Sequence, residues 1–171
     1  MKKYELTAEF IEKWGKKLFR IKALISFGSV EAGELGGYVE KEDNLAQTGN
    51  AWVYGDAEVY GNARVSGNAE VSGNARVYGD AWVSGTADYL LIGRIGSRFG
   101  FTTFFKNKEK GITVSCGCFL GTIAEFRAKV KSTHGDNKHA KMYNMAADMA
   151  ELQILGEGHF DKLNTNKSEP F

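Results

Sequence analysis

Residues 49–90 repeat with a period of six, and no other feature constrains the fold as strongly. Read in sixes they give GNAWVY, GDAEVY, GNARVS, GNAEVS, GNARVY, GDAWVS and GTADYL. A fixed period of six excludes an amphipathic helix, whose apolar positions recur every 3.6 residues. Within each unit Ala and Val stand two apart, as at Ala57 and Val59 or Ala63 and Val65, which is the spacing of one strand face. The residue between them (Glu58, Arg64, Glu70, Arg76) is expected to point to solvent. Gly followed by Asn or Asp suits a tight corner. Each unit is then a very short strand and a corner, and it buries its apolar face only by stacking into a solenoid.

The repeat resembles that of hexapeptide-repeat left-handed parallel β-helices, in which three units make one triangular coil. The resemblance implies that residues eighteen apart stack on neighbouring coils. Glu58 then lies against Arg76, Trp52 beside Glu70, Arg64 beneath Trp82 and Tyr60 beneath Tyr78, all sensible neighbours. The phase extends backwards in degraded form, with Leu35, Val39 and Leu45 on Val-like and Ala-like positions and Asn44 on a corner. About nine units, or about three coils, would follow from Leu35 on, with both ends needing cover.

The expected fold class is therefore mainly β: a short left-handed parallel β-helix with an N-terminal β cap and a C-terminal α+β element of one β-hairpin and two helices. The boundaries read as 1–34 for the cap, 35–90 for the β-helix, 91–156 for the α+β domain and 157–171 for a loose tail. In the cap, Lys3–Leu6 and Leu18–Ala23 read as strands separated by a polar stretch with Trp14. Gly93–Gly100 (GRIGSRFG) reads as a loop. Phe101–Phe105 and Gly111–Phe119 read as strands around an Asn107–Lys110 turn. Thr122 and Glu125 form a capping box for a helix that buries Ile123, Phe126 and Val130 and ends at Gly135. Asp136 or Asn137 opens a second helix with the stripe Met142, Met145, Ala146, Met149 and Leu152, closed by Gly156.

At 171 residues and 43% hydrophobic, the chain can bury a real core. A net charge of +1 argues against generic nucleic-acid binding. The charge is uneven, about +2 over 1–34, about −5 over 35–90 and about +4 over 91–171, so the C-terminal part suits a small anion better than the repeat does. MKKYELTAEF lacks the apolar run of a signal peptide and no stretch approaches a membrane span. The expectation is a cytoplasmic protein without membrane partners, carrying two free cysteines.

The segments LGGYVEKEDNL, GSRFGFTTFF, VSCGCFLGT and THGDNKHA, around a GNARV repeat, resemble a group of phage- and prophage-encoded hexapeptide-repeat proteins. That resemblance implies a host-cell cytoplasmic location and interference with a host process such as immunity. It implies no particular chemistry.

Four kinds of site are open. Left-handed β-helices resemble one another in hosting acyltransferases, which use a histidine base and an extruded loop. The repeat here has neither, and His134, His139 and His159 all lie downstream. Cys116, Cys118, His134 and His139 are candidate zinc ligands, although Cys-x-Cys is tighter than the usual pair; the alternative is two small buried hydrophobes and a histidine favourable to a helix C-terminus. Ser97 and Arg98 after Gly96 offer backbone N–H groups, a hydroxyl and a guanidinium to an anion. With Thr102, Thr103, Lys106, Cys116, Cys118, Phe119, His134 and Asp136 they are the candidate pocket for a small anionic or nucleotide-like ligand. The alternative there is that Gly96 and Gly100 simply permit turns and that Arg98 pairs with Asp136 or a nearby carboxylate. Trp52, Tyr54, Tyr60, Tyr78 and Trp82 would give the solenoid an aromatic face for self-association as a homotrimer, which the β-helix resemblance implies, or for a host defence protein. The reading as a whole is a non-enzymatic binding protein with no catalytic residue and no cofactor. It would sequester a nucleotide-like signal, with direct inhibition of a host defence protein and acyl transfer as alternatives.

Overall fold

In the computed structural model, which describes residues 1–159, the chain divides into a unit ending at Asp88 and a unit beginning at Tyr89. The first unit opens with β1 (Tyr4–Lys13) and β2 (Lys16–Ala23), an antiparallel hairpin. Its turn, Trp14-Gly15, holds both residues at positive φ (52° and 73°), the backbone that matches the twist of a tight hairpin. The strand expected over Lys3–Leu6 thus runs on to Lys13, with a register shift between Leu6 and Phe10. Its polar residues do not stop it, because one face of a paired strand can remain wet. β2 pairs antiparallel with β3 (Leu35–Val39).

Six two-residue strands carry the repeat: β4 (Trp52–Val53), β5 (Glu58–Val59), β6 (Arg64–Val65), β7 (Glu70–Val71), β8 (Arg76–Val77) and β9 (Trp82–Val83). They pair in parallel as β4–β7, β5–β8 and β6–β9, so Trp52 lies opposite Glu70, Glu58 opposite Arg76 and Arg64 opposite Trp82. Every Ala from Ala51 to Ala81 and every Val from Val53 to Val83 in this phase is at most 2% exposed. The protein is mainly β, and this part is a β-solenoid. Each buried Val contributes roughly 1.5–3 kcal/mol.

The first coil departs from the expected phase. Tyr38 lies opposite Glu58, Val39 opposite Val59 and Leu45 opposite Val65, a spacing of twenty. Two extra residues between Leu45 and Trp52 slip the register. Val39 and Leu45 both take Val positions, while Leu35 is 49% exposed. Asn44 ends the helical turn Glu42–Asn44 that makes this corner; it is buried, and its amide donates to the carbonyls of Gly61 (3.2 Å) and Ala63 (2.8 Å), supplying hydrogen bonds where no strand continues. Gly37 sits over Ala57, and a Cβ there would meet the Ala57 carbonyl oxygen at 2.5 Å.

The N-terminal strands also cover side chains expected to face water. Glu58 is buried and ion-paired with Lys13. Trp52 is fully buried beneath Tyr4 and Phe27, both edge-on to it. Trp14 stacks on Tyr60 at 5.4 Å, and Tyr60 on Tyr78 at 4.7 Å, so Tyr60 is buried and Tyr78 half-buried. Tyr54 is half-buried and shares a hydrogen bond with Ser29. Of the five aromatics assigned to a free face, Trp82 alone is largely open, at 51%. Trp52 and Trp82 also belong to different ladders, so one flat aromatic face does not exist.

Lys3 is buried among these residues. Its Nζ donates to the carbonyls of Ala51 (2.8 Å) and Gly49 (3.4 Å) and lies 4.7 Å from the Phe27 ring centroid. No carboxylate pairs with it among the described residues, and burial lowers its pKa to about 8. Above that value, and up to its ordinary pKa, the unfolded chain holds a proton the folded chain lacks. Stability should therefore rise with pH from about 8 towards 10, by about 1–3 kcal/mol. Lys3→Met should flatten that rise in urea titrations; an unchanged slope would assign it elsewhere.

The second unit is a four-stranded antiparallel meander, β10 (Tyr89–Ile95), β11 (Gly100–Lys106), β12 (Ile112–Cys116) and β13 (Phe119–Thr122), followed by α1 (Ile123–His134) and α2 (Lys138–Leu155). GRIGSRFG is therefore strand at its start and turn only from Gly96 to Phe99, and the single strand expected over Gly111–Phe119 folds back at Gly117-Cys118. Gly93 lies inside β10 because the Phe101 ring packs where its Cβ would stand. Thr122 and Glu125 make the capping box, and Asn137 caps α2 by accepting from the N–H groups of His139 and Ala140.

The buried face of α2 differs from the expected stripe. Ala140, Tyr143, Ala146, Ala147, Ala150 and Ile154 join Phe104, Ile112, Val114, Phe126 and Val130 in the core. Met142, Met145, Met149 and Leu152 are 39–65% exposed. Small alanines let a helix approach a sheet closely, whereas long methionines at the same positions would hold it off. The tail expected over 157–171 lies outside the described residues from 160 on. Among the described residues no helix is long and apolar enough to cross a membrane.

Candidate functional site

The second unit carries an open pocket of about 270 Å³. The β10–β11 turn brings Ser97 and Arg98 to it, β11 brings Phe101, the β12–β13 turn brings Cys116, Cys118 and Phe119, and the helices add Phe126, Lys129, Thr133, His134 and Tyr143. The turn can approach α2 because Gly96 has φ of 76° and the Tyr143 hydroxyl occupies the space of its missing Cβ. Phe126 sets the floor, edge-on to Tyr143 at 5.7 Å and tilted against Phe119 at 5.6 Å. The His134 ring lies 5.7 Å from that of Tyr143.

Burial, with the neighbouring Cys116 thiol, pushes the Tyr143 phenol up to about 12, while Arg98 opposes that shift. Tyr143 thus remains a neutral hydroxyl able to donate at any physiological pH. Thr102 is buried behind the pocket and donates to Cys116 Sγ at 3.2 Å. Arg98 and Lys129 stand exposed on the pocket lining, and among the described residues neither side chain meets a carboxylate. The lining is thus largely aromatic and small, and its two cations stand without a carboxylate among the described residues.

Six residues of the expected set meet here: Ser97, Arg98, Cys116, Cys118, Phe119 and His134. Thr103 is on the opposite face of β11, opposite Ser115, and Lys106 is at the far end of that strand, opposite Ile112. Asp136 is exposed and paired with Lys131 at 2.6 Å, which holds its carboxyl below the usual range, so it does not serve Arg98. Phe101, Phe126, Lys129, Thr133 and Tyr143 line the pocket without belonging to the expected set. The spacing of Phe126, Lys129, Val130, Thr133 and His134 could have signalled them, since these positions share one side of α1.

Of the four candidate zinc ligands, Cys116, Cys118 and His134 line the pocket and His139 does not. Cys118 is exposed in the turn beyond β12, whereas Cys116 ends the strand and is half-buried. His134 and His139 lie ring to ring at 5.7 Å. Among the described residues no three His, Cys, Asp or Glu side chains converge as metal ligands.

A family model described as YdcK beta solenoid repeat matches residues 57–71 and 69–85. Those residues are the coils from β5 to β9, and the chain is accordingly a β-solenoid repeat protein in its first unit. The match does not reach the pocket. No curated protein matches the chain.

Proposed function

We infer that this protein binds without catalysing, and that the pocket of its second unit takes a small planar anion of the mononucleotide type. The observation that carries this reading is a pocket lined by the rings of Phe119, His134 and Tyr143, with Arg98 and Lys129 free of protein carboxylates among the described residues. Rings of this kind stack on a nucleobase, and a guanidinium with an adjacent ammonium suits a phosphate. At about 270 Å³ the pocket is at the small end for ligand sites, which favours one nucleotide over two.

The resemblance of LGGYVEKEDNL, GSRFGFTTFF and VSCGCFLGT to phage-encoded proteins gives this binding a purpose, sequestration of a nucleotide signal used in host defence, in the cytoplasm of the host. The solenoid would be left-handed and three-sided, and a side-by-side homotrimer would cover the exposed Trp82. Direct inhibition of a host defence protein is a second reading. It is favoured by the groove of Glu42, Asp43, Arg64 and Trp82 on the β6–β9 ladder. Acyl transfer gains no base from the coils, which hold no histidine.

Mass spectrometry of small molecules released on heating, with calorimetric titration of mononucleotides, tests the main reading. Arg98→Ala should weaken binding by about tenfold or more, with the melting temperature unchanged. No nucleotide released and no heat of binding at millimolar concentration would sink it.

A further inference from the structure

The outer face of α2 presents Met142, Met145, Met149 and Leu152, exposed by 39%, 65%, 55% and 42%. A helix turned with Ala140, Tyr143, Ala146, Ala147 and Ala150 towards its own core should show polar residues on the far side. Four large apolar side chains occur there instead. Their spacing is three, four and three residues, the alternation of a coiled-coil seam, and Lys138 extends it by one further step of four.

We propose that this face of α2 packs antiparallel against the same face of a second copy of the chain. The spacing reads the same from either end, so a two-fold axis near Ala147 brings every member of the seam to an apolar partner. Met142 meets the partner's Leu152 and Met145 meets the partner's Met149. Charge selects the same orientation. Lys138 and Lys141 stand exposed at the N-terminal end of the seam and Glu157 stands exposed just past its C-terminal end. An antiparallel pair sets Lys138 beside the partner's Glu157 and opposes the two helix dipoles, whereas a parallel pair would put lysine beside lysine. Asp148 flanks the seam close to the two-fold axis, where it would meet its own copy, but Arg127 already neutralises it at 2.7 Å. Methionine also suits such a seam, because its flexible thioether fills an irregular surface. A small ligand has no concavity to occupy on this convex face, and nothing in its polar border asks for a foreign partner.

Two measurements test the pairing on the full chain. In light scattering at concentrations on the order of 100 μM, chosen because a seam this short binds weakly, Met145→Asp with Met149→Asp should halve the measured mass while circular dichroism stays that of the wild type. Halving is expected whether or not the solenoid adds a further level of assembly. In a Cys118→Ser background, Met145→Cys and Met149→Cys variants should each fail to cross-link alone under mild oxidation and should form a covalent dimer when mixed. A mass unmoved by the aspartates would overturn the proposal. So would a mixture that cross-links no better than either variant alone, the result expected if a foreign protein or residues 160–171 occupied the face.

Discussion

Val59→Asp is expected to leave the first unit unfolded. Val59 has no exposed surface and stands mid-column, between Val39 on one coil and Val77 on the next. A carboxylate there would have no water and no donor on either side, since its neighbours are the alanine and valine side chains of the solenoid interior. Burial of an unpaired charge costs several kcal/mol even after relaxation, and the lost valine removes roughly 1.5–3 kcal/mol more. Together these rival the whole stability of a small domain. All three tryptophans of the chain (Trp14, Trp52 and Trp82) lie in this unit, so their fluorescence should show no cooperative unfolding transition in the variant. Val59→Ala, which leaves a cavity but no charge, should instead fold with a loss of about 2 kcal/mol. An aspartate variant that melts normally would mean that the column is not interior.

The interior of the coils was legible because a strict period leaves the chain few choices. Ala and Val recur at fixed places, and their side chains can line only one face. Where the period loosens, legibility ended: the two residues inserted after Leu45 shift the first coil, and nothing in Ala46-Gln47-Thr48 marks them as an insertion. The outer surface was less legible still. Trp52 and Glu58 look like solvent-facing residues within their hexads, and they are buried only because β1 and the Phe27 loop come from elsewhere in the chain to cover them. In the second unit, apolar pattern alone could not decide which face of α2 is core, since the helix is apolar on two sides. The alanine face won because it lets α2 approach the sheet. Part of the pocket was missed in the same way: Tyr143 belongs to that alanine face, and Phe101 to a strand whose neighbour β10 ends in residues, Gly93–Ile95, that read as loop.

Arg127→Met should be among the most destabilising single changes on the helices, although Arg127 is on the rim of the core. Its guanidinium reaches from α1 to Asp148 (2.7 Å), Glu151 (2.6 Å) and the Asn144 side-chain oxygen (3.3 Å) on α2. Asp148 is 41% exposed and can turn to water, but the Glu151 side chain is 8% exposed and cannot. Removing the cation strands a buried carboxylate, at a cost of about 2–4 kcal/mol, somewhat below that of a fully enclosed pair because Arg127 retains some solvent. The asymmetry of buried ion pairs gives a second, sharper expectation. Replacing both partners, Arg127→Met with Glu151→Leu, removes the stranded charge together with its cause and should return stability to within about 1 kcal/mol of the wild type. Chemical denaturation followed by far-ultraviolet circular dichroism, which weights the helices, measures both. A single variant that loses under 1 kcal/mol would place this contact among ordinary surface ion pairs. A double variant as unstable as the single would mean that the packing of α1 on α2 depends on the guanidinium itself and not on the charge it neutralises.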